Sequence, residues 1–126
     1  MDVERVDFVS VLTQDIPRAK RFYSEVLGLE LESEGESDLE FRLGQVTLDV
    51  FDPSSTGEPF APSPAGIAIR VPDVAAARAE LEAKGVAFHG EIVHTSVCDM
   101  TFFEDPDGNV LVFHRRFAPF PDGRMP

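Results

Sequence analysis

The sequence predicts an α+β domain built from two copies of one module, each with a strand, a helix and three further strands. Strand-like apolar segments and amphipathic helical segments follow one another in the same order twice along the chain. An aspartate precedes each predicted helix and a glycine follows it. Two halves of like order are typical of a duplicated architecture with a site between its copies.

The first module is predicted over about residues 5–51. It begins with a valine-rich strand at 6–13. Asp15 is the predicted N-cap of a helix whose apolar residues share one face and which ends at Gly28. Three shorter strands are predicted to follow, at 29–34, 39–43 and 46–51.

The segment 52–64 is rich in proline, serine and glycine and is predicted to connect the modules. The second module, about 65–116, repeats the first, with Asp73 capping its helix and Gly85 ending it. Its strands are predicted at 66–71, 86–93, 98–104 and 110–114. The tail, 117–126, is predicted either to lie on another surface or to be disordered. All of this makes one domain over 1–126, since the chain is too short for two independent cores.

Composition excludes several classes of function. The formal net charge of −12 argues against binding to nucleic acid or to an anionic membrane surface. No apolar run approaches the roughly 18 residues that a membrane span needs. The single cysteine, Cys98, rules out an internal disulfide and fits a reducing compartment. We therefore expect a cytoplasmic protein.

The most specific local pattern is residues 102–109, Phe-Phe-Glu-Asp-Pro-Asp-Gly-Asn, followed by a strand. Proline fixes one φ angle there and glycine supplies a positive one, which predicts a tight hairpin turn. Together with Phe22-Tyr23 in the first helix, Val26-Leu27-Gly28-Leu29 where that helix ends, and the second helix region at 71–85, this pattern resembles the vicinal oxygen chelate superfamily. That superfamily includes glyoxalase I, bleomycin resistance proteins, extradiol dioxygenases and fosfomycin-resistance enzymes. The resemblance runs from about residue 6 to about residue 115.

The resemblance implies a fold in which two βαβββ modules form a curved mixed sheet around a cavity, and it implies a homodimer. Enzymes of the superfamily hold one divalent metal with ligands from the first and last strands of each module. Transferred to this sequence, those positions fall at Phe8, Leu48, Gly66 and Val112. None of these side chains offers a donor atom, so we expect no metal and no cofactor. A one-residue slip would bring in Thr47 or Asp49, and a divalent metal with relocated ligands stays an alternative.

Period-two alternation predicts which side chains line the cavity. The predicted ligand-binding residues are Phe8, Ser10, Glu40, Arg70, Cys98, Met100, Val112 and His114. Three of them are also candidate catalytic residues: Glu40, Cys98 and His114. Three of the eight residues also have a plainer interpretation. Cys98 is equally a buried small residue, His114 a surface residue, and Arg70 a partner in a salt bridge.

Three functions of different class follow. The first is a metal-free protein of the bleomycin-resistance type that binds an aromatic or cationic small molecule. The second is a lyase, isomerase or dioxygenase, either with relocated metal ligands or with metal-free chemistry at Cys98, Glu40 or His114. The third is a structural or regulatory dimer without a ligand. A fold alone does not decide among them.

Overall fold

The computed structural model describes all residues, 1–126, and divides the chain into two units. The first unit contains residues 1–64 and 105–109, and the second contains 65–104 and 110–126. Each unit has one four-stranded mixed sheet, with a helix between its first and second strands. The predicted α+β class with two modules is confirmed, whereas the prediction of one domain over 1–126 stays a prediction. No helix combines the length and the apolar character needed to cross a membrane.

The first unit follows the predicted order of elements. These are β1 (Phe8–Leu12), α1 (Ile16–Arg21) with a π-helical continuation (Phe22–Val26), β2 (Leu31–Glu34), β3 (Asp38–Leu43) and β4 (Val46–Phe51). The strand order is β1-β4-β3-β2, with β1 parallel to β4 and the other pairs antiparallel. A short 3₁₀ helix, Pro53–Thr56, occupies part of the predicted connection.

The helix of the first unit begins where the sequence predicts. The Asp15 side chain accepts a hydrogen bond from the Arg18 amide at 3.0 Å, which satisfies an amide that has no partner inside the helix. The helix does not stay α-helical to its end, because a π-helical turn carries Phe22 and Tyr23. Both side chains are buried and their rings pack edge to face at 5.1 Å. Period-3.6 reasoning on the sequence missed this wider turn.

Alternation divides the first sheet into an apolar and a polar face. The buried residues of β1, β3 and β4 are Val11, Leu39, Phe41, Leu48 and Val50. Phe41 packs against Tyr23 of the helical region, with ring centroids 5.5 Å apart. The residues between them along the strands therefore lie on the other face, away from the helix.

The second unit contains β5 (Ile67–Arg70), α2 (Val74–Ala83), β6 (Phe88–His94), β7 (Cys98–Glu104) and β8 (Val110–Arg116). The strand order is β5-β8-β7-β6, again with one parallel pair, β5 with β8. Phe88, Phe103 and Phe113 form an aromatic cluster with centroid distances of 4.7–6.2 Å. Phe103, Phe113 and Leu81 of α2 are buried, and Phe88 is half-buried.

The C-terminal tail lies at the end of β8, where the amides of Phe117 and Ala118 donate to the carbonyl oxygen of Val97 at 3.0 and 3.2 Å. The Arg116 side chain donates to the carbonyl oxygens of Ala118 and Pro119 at 3.0 and 2.9 Å. Two guanidinium groups contact the ring of Phe120, those of Arg116 at 4.3 Å and Arg124 at 4.5 Å from its centroid. These cation–π contacts fix the tail without a hydrophobic core of its own.

Candidate functional site

Three carboxylates meet on the polar face of the first sheet. Asp38 and Glu40 lie on β3 and Asp49 lies on β4, with Glu40 directly opposite Asp49 in the antiparallel register. One ligand atom from each residue lies within 4.8 Å of the others. All three are half-buried, and no lysine or arginine forms an ion pair with any of them. Like charges placed directly opposite are unfavourable, so the cluster has uncompensated negative charge.

Asp49 shows the electrostatic consequence. Burial is the main cause that raises the pKa of the Asp49 carboxyl; the hydrogen bond from the Ser10 hydroxyl, at 3.1 Å, opposes this, and the charge of Asp38 raises it further. An approaching cation would replace the missing counter-charge.

A concavity of about 270 Å³ lies beside these carboxylates. It is lined by Asp7, Phe8, Glu40, Thr47 and Asp49. The side chain of Phe8 is 59% exposed, which offers an aromatic surface next to the acidic groups. Sites for drug-sized ligands usually enclose about 300–1,000 Å³, so this concavity is suited to one end of such a ligand or to a small cation.

The structure brings together three of the predicted residues in the first unit: Phe8 and Glu40 line the concavity, and Ser10 donates to Asp49. The transfer of a ligand position to Leu48 is wrong. Leu48 is fully buried on the helix-facing side, whereas Asp49 hydrogen-bonds with Ser10 on the polar face. The reason is the parallel pairing of β1 with β4, which sets Ser10 beside Asp49.

The sequence analysis did not identify Asp38 as a candidate site residue. It named Asp49 only as a residue that a one-residue shift in register would bring into the site. The alternation Thr47-Leu48-Asp49-Val50 contains the signal, because its two apolar residues face the core and the polar ones face away. Which residue of β1 lies beside Asp49 depends on the strand register, and nothing in the local sequence states it.

In the second unit, Arg70, Met100 and His114 lie next to one another across three strands. His114 on β8 is the register partner of both Arg70 on β5 and Met100 on β7. The Arg70 guanidinium donates to the carbonyl oxygen of Arg116 at 3.2 Å, so part of its hydrogen-bonding capacity is already used. Val112 lies two residues before His114, on the same face of β8, and is 6% exposed.

Cys98 has the environment of a buried small residue. It is 6% exposed, and its thiol lies 3.4 Å from the hydroxyl of Thr95. Its register partner is Arg116, and no hydrogen bond joins it to His114. Glu40 and His114, two of the candidate catalytic residues, belong to different units, so neither unit by itself brings them together.

The Asp-Pro-Asp-Gly-Asn turn, residues 105–109, stabilises the first unit through hydrogen bonds to its two aspartates. Asp105 is buried and accepts hydrogen bonds from the Tyr23 hydroxyl at 2.6 Å and from the Asn109 side chain at 2.8 Å. Asp107 accepts from the Thr13 hydroxyl at 2.6 Å and from Arg18 at 2.8 Å. Both carboxylates are saturated with donors, which leaves neither free for a ligand.

Comparison with known proteins now decides the family. Residues 5–113 match the model of the Glyoxalase/Bleomycin resistance protein/Dioxygenase superfamily. The chain belongs to this superfamily. The resemblance inferred from the sequence motifs is therefore confirmed. No curated protein matches the chain.

Several solved structures of the superfamily resemble the chain. TnmS3, an antibiotic binding protein from Streptomyces sp. CB03234, is 30% identical, with a TM-score of 0.77 over 92% of this chain and 98% of that one. A glyoxalase/bleomycin resistance protein from the same source is also 30% identical, with a TM-score of 0.72 over 88% and 100%. Lactoylglutathione lyase from Agrobacterium tumefaciens is 18% identical, with a TM-score of 0.78 over 90% and 94%. At that identity the likeness shows the fold alone.

The ligand positions that the superfamily's metal enzymes use do not fit a metal in this member. The side chains of Phe8, Gly66 and Val112 carry no donor atom, and in place of the buried Leu48 the polar face of β4 offers Thr47 or Asp49. A catalytic divalent site needs about three protein ligands. The chain is thus a glyoxalase/bleomycin-resistance-like protein whose specific activity is not assigned by its family.

Proposed function

We propose that this protein binds a small molecule carrying a cationic group next to an aromatic or apolar part, on the polar face of its first sheet. One observation carries the proposal: the carboxylates of Asp38, Glu40 and Asp49 lie together without a basic partner, beside the exposed ring of Phe8. A cation gains Coulomb energy from three carboxylates, and a ring gains dispersion energy and area from Phe8. Such binding needs no metal.

The distribution of charge over the chain supports a cationic ligand. The first unit contains 16 acidic and 5 basic residues, a net charge of −11, whereas the second contains 7 and 6, a net charge of −1. A cation approaching the polar face of the first sheet is therefore attracted by the whole unit. TnmS3, an antibiotic binding protein, is 30% identical, which supports small-molecule binding as the general role.

The proposal is tested with benzamidine, an aromatic cation, and benzamide, its uncharged analogue, in amide-resolved NMR titrations. We expect saturable shifts of residues around Glu40 and Asp49 with benzamidine and none with benzamide. Glu40→Gln should weaken binding about tenfold, because a charge-assisted hydrogen bond contributes about 1.5–3 kcal/mol. Phe8→Ala should weaken it through loss of the stacked ring.

Glu91→Gln is the matched control, since Glu91 is an exposed strand residue of the second unit and the change removes the same charge. We expect its affinity for benzamidine to equal that of the wild type. Equal affinity for both probes, or equal losses in Glu40→Gln and Glu91→Gln, would show that the three carboxylates do not form the binding site.

A divalent cation held by the same carboxylates is the second candidate function. Its support is the spacing of Asp38, Glu40 and Asp49, whose oxygen atoms suit Mg²⁺, Mn²⁺ or Ca²⁺. Elemental analysis of protein purified without a tag or chelator, followed by Mn²⁺ titration, separates the two. Stoichiometric metal that is lost in Glu40→Gln would favour this candidate over the organic cation.

We further propose a cytoplasmic homodimer. A single free, buried Cys98 is consistent with a reducing compartment. The exposed apolar side chains of Val3 and Val6 near the N-terminus suit a contact with a second copy. Sedimentation equilibrium tests the dimer, and a monomer at micromolar concentration would contradict it.

A further inference from the structure

A second concavity, also of about 270 Å³, lies in the second unit on the side of the sheet that carries α2. Its lining comes from the start of α2 and from β6, β7 and β8: Pro72, Asp73, Val74, Ala75, Ile92, His94, Asp99 and Arg115. None of these residues takes part in the ligand site proposed above. The polar groups of this concavity therefore do not contribute to the cation site of the first unit.

The two carboxylates that line it already have partners. An oxygen of Asp73 accepts the Ala76 amide at 2.9 Å as the N-cap of α2. An oxygen of Asp99 lies 2.7 Å from Nδ1 of His94, which leaves Nε2 of that ring free. Each carboxylate is thus used within the protein, and the imidazole is oriented by one of them.

Arg115 is the exception among the charged residues of this concavity. It is the register partner of Asp99, yet their side chains form no ion pair, and no hydrogen bond or cation–π contact engages its guanidinium. The residue is half-buried, so its charge is partly removed from water. A planar guanidinium with free donors is suited to a carboxylate or phosphate, which it binds through two parallel hydrogen bonds.

We infer that this concavity is a binding site for a small oxyanion, a carboxylate or a phosphate group, held by the free guanidinium donors of Arg115. The volume suits a single anionic group or a small molecule that carries one. The site is separate from the proposed cation site, because all its residues belong to the second unit.

The test is an amide-resolved NMR titration with inorganic phosphate and, separately, acetate, with chloride keeping the ionic strength constant. We expect saturable shifts of the amide signals of Val74, Ala75 and Asp99 with at least one anion. The anion that binds more tightly identifies the ligand class, phosphate or carboxylate. Arg115→Gln should weaken that binding at least about fivefold. Arg115→Lys should weaken it less, because lysine keeps the charge but cannot make the two parallel hydrogen bonds of a guanidinium.

Arg21→Gln is the matched control: Arg21 is an exposed arginine of the first unit with no ion pair, and its loss changes the net charge equally. Its affinity for the anion should equal that of the wild type. Shifts that do not saturate, or equal weakening in Arg115→Gln and Arg21→Gln, would overturn the inference. The dispersed amide spectrum of each variant checks that it is folded.

Discussion

At the scale of single residues, the hydroxyl of Tyr23 is held in a buried hydrogen bond. Its ring is fully buried, and its oxygen donates to Asp105 at 2.6 Å. Burial is the main cause that raises the pKa of the phenol far above its ordinary value, and the charge of Asp105 raises it further. The phenol therefore stays neutral and keeps its proton on the shared hydrogen bond.

Replacement of Tyr23 by phenylalanine should lower the free energy of unfolding by about 1–3 kcal/mol, since Asp105 then loses one donor while it stays buried. The contribution of Tyr23 is present in full below the ordinary phenol pKa of 10.0. Above it, only the unfolded chain releases the proton, so the contribution falls by about 1.4 kcal/mol per pH unit. Urea unfolding of both proteins at pH 8 and pH 11 measures this. A difference in stability that stays constant over that range would contradict it.

At the scale of elements, two glycines sit in the left-handed region for different reasons. Gly66, with φ of +76°, precedes β5 and lies against β8, where an added Cβ would be 3.3 Å from Cγ2 of Val112. Gly85, with φ of +90°, ends α2 and has no atom within 4 Å of that position. Backbone conformation alone requires the second glycine, and both conformation and packing require the first.

Alanine at Gly85 should cost about 1–2 kcal/mol, the usual penalty of a left-handed conformation for a residue with a Cβ atom. Alanine at Gly66 should cost more, because the added methyl group must also displace Val112. Thermal unfolding followed by circular dichroism compares the two variants directly. Equal losses of stability in the two variants would show that β5 and β8 move apart at Gly66 without an energetic cost.

At the scale of the whole molecule, the acidity is concentrated in one unit. The first unit has a net charge of −11 and the second of −1. Repulsion within the first unit lowers its stability and is screened by salt. The same excess of carboxylates keeps the protein soluble and attracts cations.

Reversal of one exposed charge in each unit tests this asymmetry. Glu36→Lys, in the first unit, should stabilise the protein by a few tenths of a kcal/mol at low ionic strength, and Glu91→Lys, in the second, by less. The difference should disappear in 0.5 M NaCl. Urea unfolding at both salt concentrations measures it, and a larger gain in Glu91→Lys would refute a charge effect specific to the first unit.

The sequence by itself determined the order of elements, their caps and the family. Periodicity is a local property, and so are the Asp15 and Asp73 caps, both of which accept a helix amide as predicted. Strands β4 and β7 have the predicted bounds, whereas β1 and β5 are shorter, because strand ends depend on the partners they pair with.

Only the tertiary structure decided which side chains share a site. The parallel pairing of β1 with β4 brings Ser10 beside Asp49 from 39 residues away, and it removes Leu48 from the polar face. The unpaired guanidinium of Arg115 is likewise visible only once its neighbours are known. Register and side-chain partnership arise from contacts between distant segments, and a local pattern does not contain them.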